Sequence, residues 1–242
     1  MTGGEYYRAM VKAVQSRGHY FKATRANGRS FVDSSFRYVV GETATAKGDK
    51  ATLCEPGLLH FSDVPADTLA GRHWPCRLFE VRPSEVVVNE RSKYGAKSLY
   101  VVRDLPAWLA LGPNGRVVAR FLTELAALDH DDWVEVLGAA RDEVESNLAG
   151  WGDAARAVAA LVAARNVAAW HVTLAAARGA ARWVSPHDVV QGAVWYGAGV
   201  LVVADLIAPK RFATLYAPFA EVLPLDKLRE RAIAAFPLTV QP

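Results

Sequence analysis

The sequence predicts an α+β fold, a small mixed or antiparallel sheet domain over residues 1–105 followed by an all-helical domain over residues 106–242. Three observations carry that expectation. Short runs rich in β-branched and aromatic residues, divided by turn signals, crowd the first part of the chain. After Leu105-Pro106 the apolar residues recur at spacings of three and four instead. Alanine then supplies 14 of the 29 residues from Ala154 to Arg182, the composition of closely packed helices.

The elements follow in order. Tyr7, Met10, Val11 and Val14 share one face, so residues 4–17 read as an amphipathic helix that Gly18 ends. Strands are expected over His19 to Thr24, Ser30 to Val40, Leu58 to Phe61, Arg77 to Val81, Val86 to Asn89 and Ser98 to Arg103. The turn signals between them are Asn27-Gly28, Gly48-Asp49, Glu55-Pro56-Gly57 and Tyr94-Gly95. A short helix falls between two strands, with Ser62 or Asp63 as N-cap and Pro65 in its first turn. Beyond the Gly112 to Gly115 turn, Val117, Val118, Phe121, Leu122, Leu125 and Leu128 line a helix face, and Trp133, Leu137, Ala140, Val144 and Leu148 line another. Ser185-Pro186 opens a further helix, and Pro209, Pro218 and Pro224 cut the tail into short ones.

Composition bounds the functional classes. The 242 residues are 52% hydrophobic and 22% charged, which excludes wholesale disorder. Two cysteines make no disulfide scaffold, so a reducing, cytoplasmic setting is expected. Arg8 and Lys12 interrupt Tyr6, Tyr7 and Met10, which leaves no apolar leader core. The longest uncharged run, Val189 to Ala204, falls short of a membrane span, so no membrane partner is expected. The net charge of +3 is unevenly spread: residues 1–105 hold 16 basic and 11 acidic residues, and the remainder 12 and 14. Arg8, Lys12, Arg17, Lys22, Arg25 and Arg29 against Glu5 make a basic N-terminal edge, suited to a polyanion or an acidic protein surface.

Several constellations compete for chemistry. Cys54, His60, His73 and Cys76 are spaced C-x5-H-x12-H-x2-C, a donor set that suits tetrahedral zinc. The Cys54–His60 spacing departs from common zinc patterns and buried cysteine is an ordinary hydrophobe, so no metal is expected. The acidic knot Asp129-His130-Asp131-Asp132 precedes Trp133 at a predicted helix start, where carboxylates cap free N–H groups. No G-x-S-x-G, G-x-x-x-x-G-K-[ST] or G-x-G-x-x-G motif occurs. Glu80 and Glu85 flank Arg82-Pro83 and read as solvated carboxylates at a strand exit. Tyr20, Lys22, Arg25, Phe36, Arg37 and Tyr38 interleave rings and cations, as in a nucleic-acid-binding sheet face, yet Phe21, Phe31 and Phe36 equally suit a small core.

Three segments carry a family resemblance. They are Tyr38-Val39-Val40-Gly41-Glu42-Thr43, then Cys54-Glu55-Pro56-Gly57-Leu58-Leu59-His60-Phe61, then Arg77-Leu78-Phe79-Glu80-Val81. Together they resemble an uncharacterised N-terminal domain of bacteriophage and actinobacterial proteins, in which an alanine-, arginine- and tryptophan-rich helical region often follows. This chain has an extra leucine between Gly57 and His60. The resemblance implies a phage or actinobacterial cytoplasmic context. The strand and helix order is also similar to the ADP-ribosyltransferase scaffold, without its Ser-Thr-Ser strand.

The expected function is that of a non-catalytic phage or prophage accessory protein. It would bind a protein, with nucleic acid engaged directly or through a protein complex, as a regulator of recombination would. No cofactor is expected. The alternatives are an ADP-ribosyltransferase-like enzyme using a nucleotide cofactor, with His60 and Glu80 as its polar pair, and a zinc-stabilised structural module on Cys54, His60, His73 and Cys76.

Overall fold

The computed structural model describes residues 1–49, 52, 53, 56–69, 74–90, 92–125, 127, 200, 201, 204 and 209–238. They show an α+β fold. Chain contacts divide it into two compact units, Met1–Pro113 (with which Leu238 groups) and Asn114–Pro237.

The first unit opens with helix α1, Gly3–Ser16, which buries Tyr6, Tyr7, Met10 and Val14. Thr2 caps it: the Thr2 hydroxyl accepts from Glu5 N at 3.2 Å and the Glu5 carboxylate accepts from Thr2 N at 2.6 Å. Seven strands follow: β1 Tyr20–Arg25, β2 Thr43–Thr45, β3 Leu59–Phe61, β4 Cys76–Pro83, β5 Val88–Glu90, β6 Lys93–Ala96 and β7 Ser98–Leu105. All their pairings are antiparallel, in a four-stranded sheet ordered β1-β4-β7-β2 and a three-stranded one ordered β3-β6-β5. Phe21 of β1 pairs with Ser62 just beyond β3, which joins the two sheets.

Alternation sorts the side chains of the larger sheet. Phe79, Val81, Leu99 and Val101 build one apolar core with Tyr38, Ala44, Leu59, Phe61 and Ala96. Leu78 and Glu80 point to the other face, where 3₁₀ turns Pro65–Leu69 and Ala107–Leu111 pack on β1, β4 and each other. The Tyr6 ring of α1 lies 5.6 Å from that of Trp108.

Local chemistry explains where the elements depart from expectation. Ser30 to Val40 is an irregular loop, with one isolated pairing of Arg29 and Arg37. Ser30 Oγ accepts from Val32 N at 3.3 Å and Asp33 Oδ1 from Ser35 N at 2.9 Å, so short polar side chains claim the backbone that a ladder would use. Tyr94-Gly95 lies inside β6, not at a turn. A Cβ on Gly95 would come within 2.9 Å of Leu58 Cδ1, so this glycine serves close packing.

In the second unit, α2 (Gly115–Leu125) buries Val118, Phe121, Leu122 and Leu125 of the expected face, while Val117 is half-buried and Leu128 lies outside the described residues. Helix α3 (Pro209–Tyr216), a 3₁₀ turn Ala217–Phe219 and α4 (Leu225–Ala235) break where Pro209, Pro218 and Pro224 stand. Helices α2 and α4 are tied by Arg116 Nη2, which donates to Ile233 O at 3.1 Å, and by Arg231 Nη1, 3.0 Å from Glu124 Oε1. The Trp133 helix, the alanine-rich stretch, the Ser185-Pro186 start and the acidic knot 129–132 fall outside the described residues.

Candidate functional site

Helix α1 stops in a way that creates the site. Gly18 takes φ +68, and the chain closes with Gly18 N donating to Gln15 O and His19 N donating to Val14 O, the paired bonds of a Schellman turn. That reversal puts Arg17 and His19 on either side of one glycine, and both reach the same atom. Arg17 Nε donates to Glu80 Oε1 at 3.1 Å, and His19 Nδ1 lies 2.6 Å from it.

Glu80 comes from the middle of β4, opposite Phe21 and Arg103 in the two flanking strands. Its side chain is 1% exposed. This corrects the expectation of a solvated strand-exit carboxylate: β4 runs on to Pro83, so Glu80 lies well inside the sheet. Its second oxygen accepts from Arg103 Nε at 2.7 Å and from Arg17 Nη2 at 3.3 Å.

A β-bulge delivers Arg103. Glu80 pairs with Arg103 and Val81 pairs with Val101, which leaves Val102 as the extra residue. In a regular strand Val101 and Arg103, two apart, would face the same side. The extra residue lets Val101 enter the apolar core while Arg103 turns to Glu80.

Burial pushes the Glu80 carboxyl up, but the hydrogen bonds from His19, Arg103 and Arg17 together outweigh it and hold the group below its ordinary value. An ionised carboxylate only accepts, so His19 Nδ1 carries the proton and the other nitrogen, Nε2, is left over. The cluster sums to +1 with His19 neutral. Its basic side chains form the rim: Arg17 is 40% exposed, Arg103 33% and His19 14%.

The remaining candidates are placed as follows. Among the basic edge, Arg17 is held by Glu80, Lys22 Nζ donates to His60 O at 2.6 Å, and Arg25 donates to Ser30 O and Phe31 O. Arg29 Nη1 donates to Ser34 O, which leaves Arg8 and Lys12 exposed on α1. His60 is half-buried in β3, and β1 stands between it and Glu80, since Phe21 pairs with both Glu80 and Ser62. The structure therefore does not bring His60 and Glu80 together as neighbours. Of the zinc candidates, Cys54 and His73 lie outside the described residues. Cys76 is buried at the start of β4, where burial pushes its thiol up to about 12. Among the described residues no group of three metal-binding side chains converges.

His19 and Arg103 are the site residues that sequence reasoning missed. The available signal was Gly18 at a helix end with a cation and an imidazole on either side of it. No helix among the described residues is long and apolar enough to cross a membrane. Compared with family models, curated proteins and solved structures, the chain matches none.

Proposed function

We propose that this chain is a non-catalytic accessory protein that binds an acidic protein surface or a protein–nucleic-acid complex. In this reading it works without a cofactor in a phage or actinobacterial cytoplasm, as a regulator of a DNA transaction. The sheet unit carries the binding edge, and the region after it is an all-helical domain. The helices α2, α3 and α4 support that last point.

The carrying observation is how Glu80 is used. Every acceptor position of the strongest candidate catalytic carboxylate is engaged by Arg17, His19 and Arg103, so it has no open oxygen for a substrate proton. Toward solvent α1 presents Arg8 and Lys12, one turn apart, and the exposed part of Arg17 at its end, against the single carboxylate of Glu5 in its first turn. Such an edge steers acidic partners and makes binding dependent on salt.

The test is capture of partners from native lysate, with and without nuclease, by the wild-type chain and by the double variant Arg8→Glu, Lys12→Glu. A partner retained by the wild type, lost by the variant and released as salt rises is the expected result. Partners bound equally by both proteins at every salt concentration would overturn the reading.

A further inference from the structure

We infer that β2 is a self-pairing edge: two copies of the chain join β2 to β2 in antiparallel register about a two-fold axis through Ala44. The pairing uses no residue of the basic edge.

The backbone bonds to β7 fix which way β2 faces. Val101 N donates to Glu42 O at 2.9 Å, and Ala46 N donates to Lys97 O at 2.8 Å. Bonded and unbonded pairs alternate along an antiparallel ladder, so Ala44 and Leu99 are a bonded pair. Thr43 with Tyr100 and Thr45 with Ser98 are then the unbonded ones. The far side of β7 agrees: Ser84 N donates to Ser98 O at 3.1 Å, so Ser98 and Tyr100 turn their backbone to β4. Thr43 and Thr45 therefore direct their N–H and C=O groups away from the sheet. Strand β2 ends its sheet and both threonines are exposed. Neither has a further hydrogen-bond partner among the described residues.

Sheet edges are commonly guarded by lysine, proline or a bulge. From Thr43 to Ala46 this edge carries none of them and no charge. Its outward groups match those of its own copy. The axis through Ala44 sets Thr43 opposite Thr45 of the second copy, and Thr45 opposite its Thr43. Each such pair exchanges both backbone bonds, so every outward group of the two threonines is satisfied on both sides. Ala44 meets Ala44 across the axis with no bulk to part the backbones, and threonines are favourable cross-strand neighbours. Glu42 falls opposite Ala46 and Lys47 opposite Gly41, so no like charges meet. A foreign strand would have to supply that match; a second copy has it by symmetry. The only guard on the edge is its shortness, which keeps the dimer weak and concentration-dependent.

Sedimentation equilibrium of the full chain tests this. The mass should rise from 26.3 kDa toward twice that value as concentration increases through the micromolar range. Over the same range the Thr43 and Thr45 amides should gain more protection from hydrogen exchange than those of Ala44 and Ala46, which β7 bonds in a single chain. Thr45→Pro removes an outward donor without touching the β7 ladder, and should weaken dimerisation by about tenfold or more. Should the proline unfold the strand, Thr43→Lys combined with Thr45→Lys keeps every backbone donor, sets lysine against lysine in the dimer, and should abolish the rise in mass. A single-chain mass at every concentration overturns the inference, as does a dimer that these variants form as well as the wild type. A single-chain mass with Thr43 and Thr45 protected only when a captured partner is added gives the edge to a foreign strand, and overturns it too.

Discussion

Glu80 is held by three side chains that approach from two separate parts of the chain, the end of α1 and the middle of β7. Removing it leaves Arg17 and Arg103 with their charges but with enough exposure to be hydrated again. Glu80→Ala should therefore cost about 2 kcal/mol, below the usual loss for a fully buried pair, as read from the urea midpoint. The pH dependence has a definite sign. A carboxyl held below its ordinary value of 4.5 contributes stability that is full above that pH and is lost as pH falls through the lowered value. The difference in melting temperature between wild type and Glu80→Gln should be largest near neutrality and shrink as pH drops below 4.5. A gap that stays constant down to strongly acidic pH would remove the cluster from the account of stability.

At the level of elements, the site depends on two backbone devices. Gly18 holds a left-handed conformation with open space around it, so Gly18→Ala adds only backbone strain. The expected loss is about 1 kcal/mol, with weaker protection of the Arg17 and His19 amides from hydrogen exchange. The second device is the bulge. Deleting Val102 brings Val101 and Arg103 into a regular ladder without moving either partner, Val81 or Glu80. This deletion inside a central strand should keep unfolding cooperative and shift stability by no more than about 1 kcal/mol. Collapse of the fold would show that Val102 is not the extra residue. These devices also mark where the sequence was legible. The Tyr7, Met10 and Val14 periodicity with Gly18 specified α1 and its end, and the Arg77 to Val81 and Ser98 to Arg103 runs specified β4 and β7. Strands β2 and β6 are three and four residues long, too short to show alternation, and the glycine in β6 imitates a turn. The site itself was hidden because Arg17, His19, Glu80 and Arg103 meet only through the pairing of strands distant in sequence. Taken singly, Glu80 in an Arg- and Pro-flanked strand and Arg17 at a helix end are indistinguishable from solvated surface.

For the whole molecule, the unit boundary follows burial more than texture. The sequence changes character at Leu105-Pro106, yet the first compact unit runs to Pro113. The reason is the turn Ala107–Leu111, whose Trp108, Leu109, Ala110 and Leu111 are buried and which packs on the Pro65–Leu69 turn and on β4. It covers the face of the sheet opposite the core of Phe79 and Val101, the face from which Leu78 and Glu80 project. A fragment ending at residue 113 should consequently unfold in one cooperative transition when followed by circular dichroism and tryptophan fluorescence. A fragment ending at 105 lacks the buried Trp108 and Leu109, and with them the turn that packs on Pro65–Leu69 and on β4. Losing two large buried side chains costs several kcal/mol, of the order of a small domain's whole stability, so the shorter fragment should be less stable by about 4 kcal/mol or fail to fold. Equal urea midpoints for the two fragments would place the end of the folded unit at residue 105 and make the Ala107–Leu111 turn a dispensable appendage.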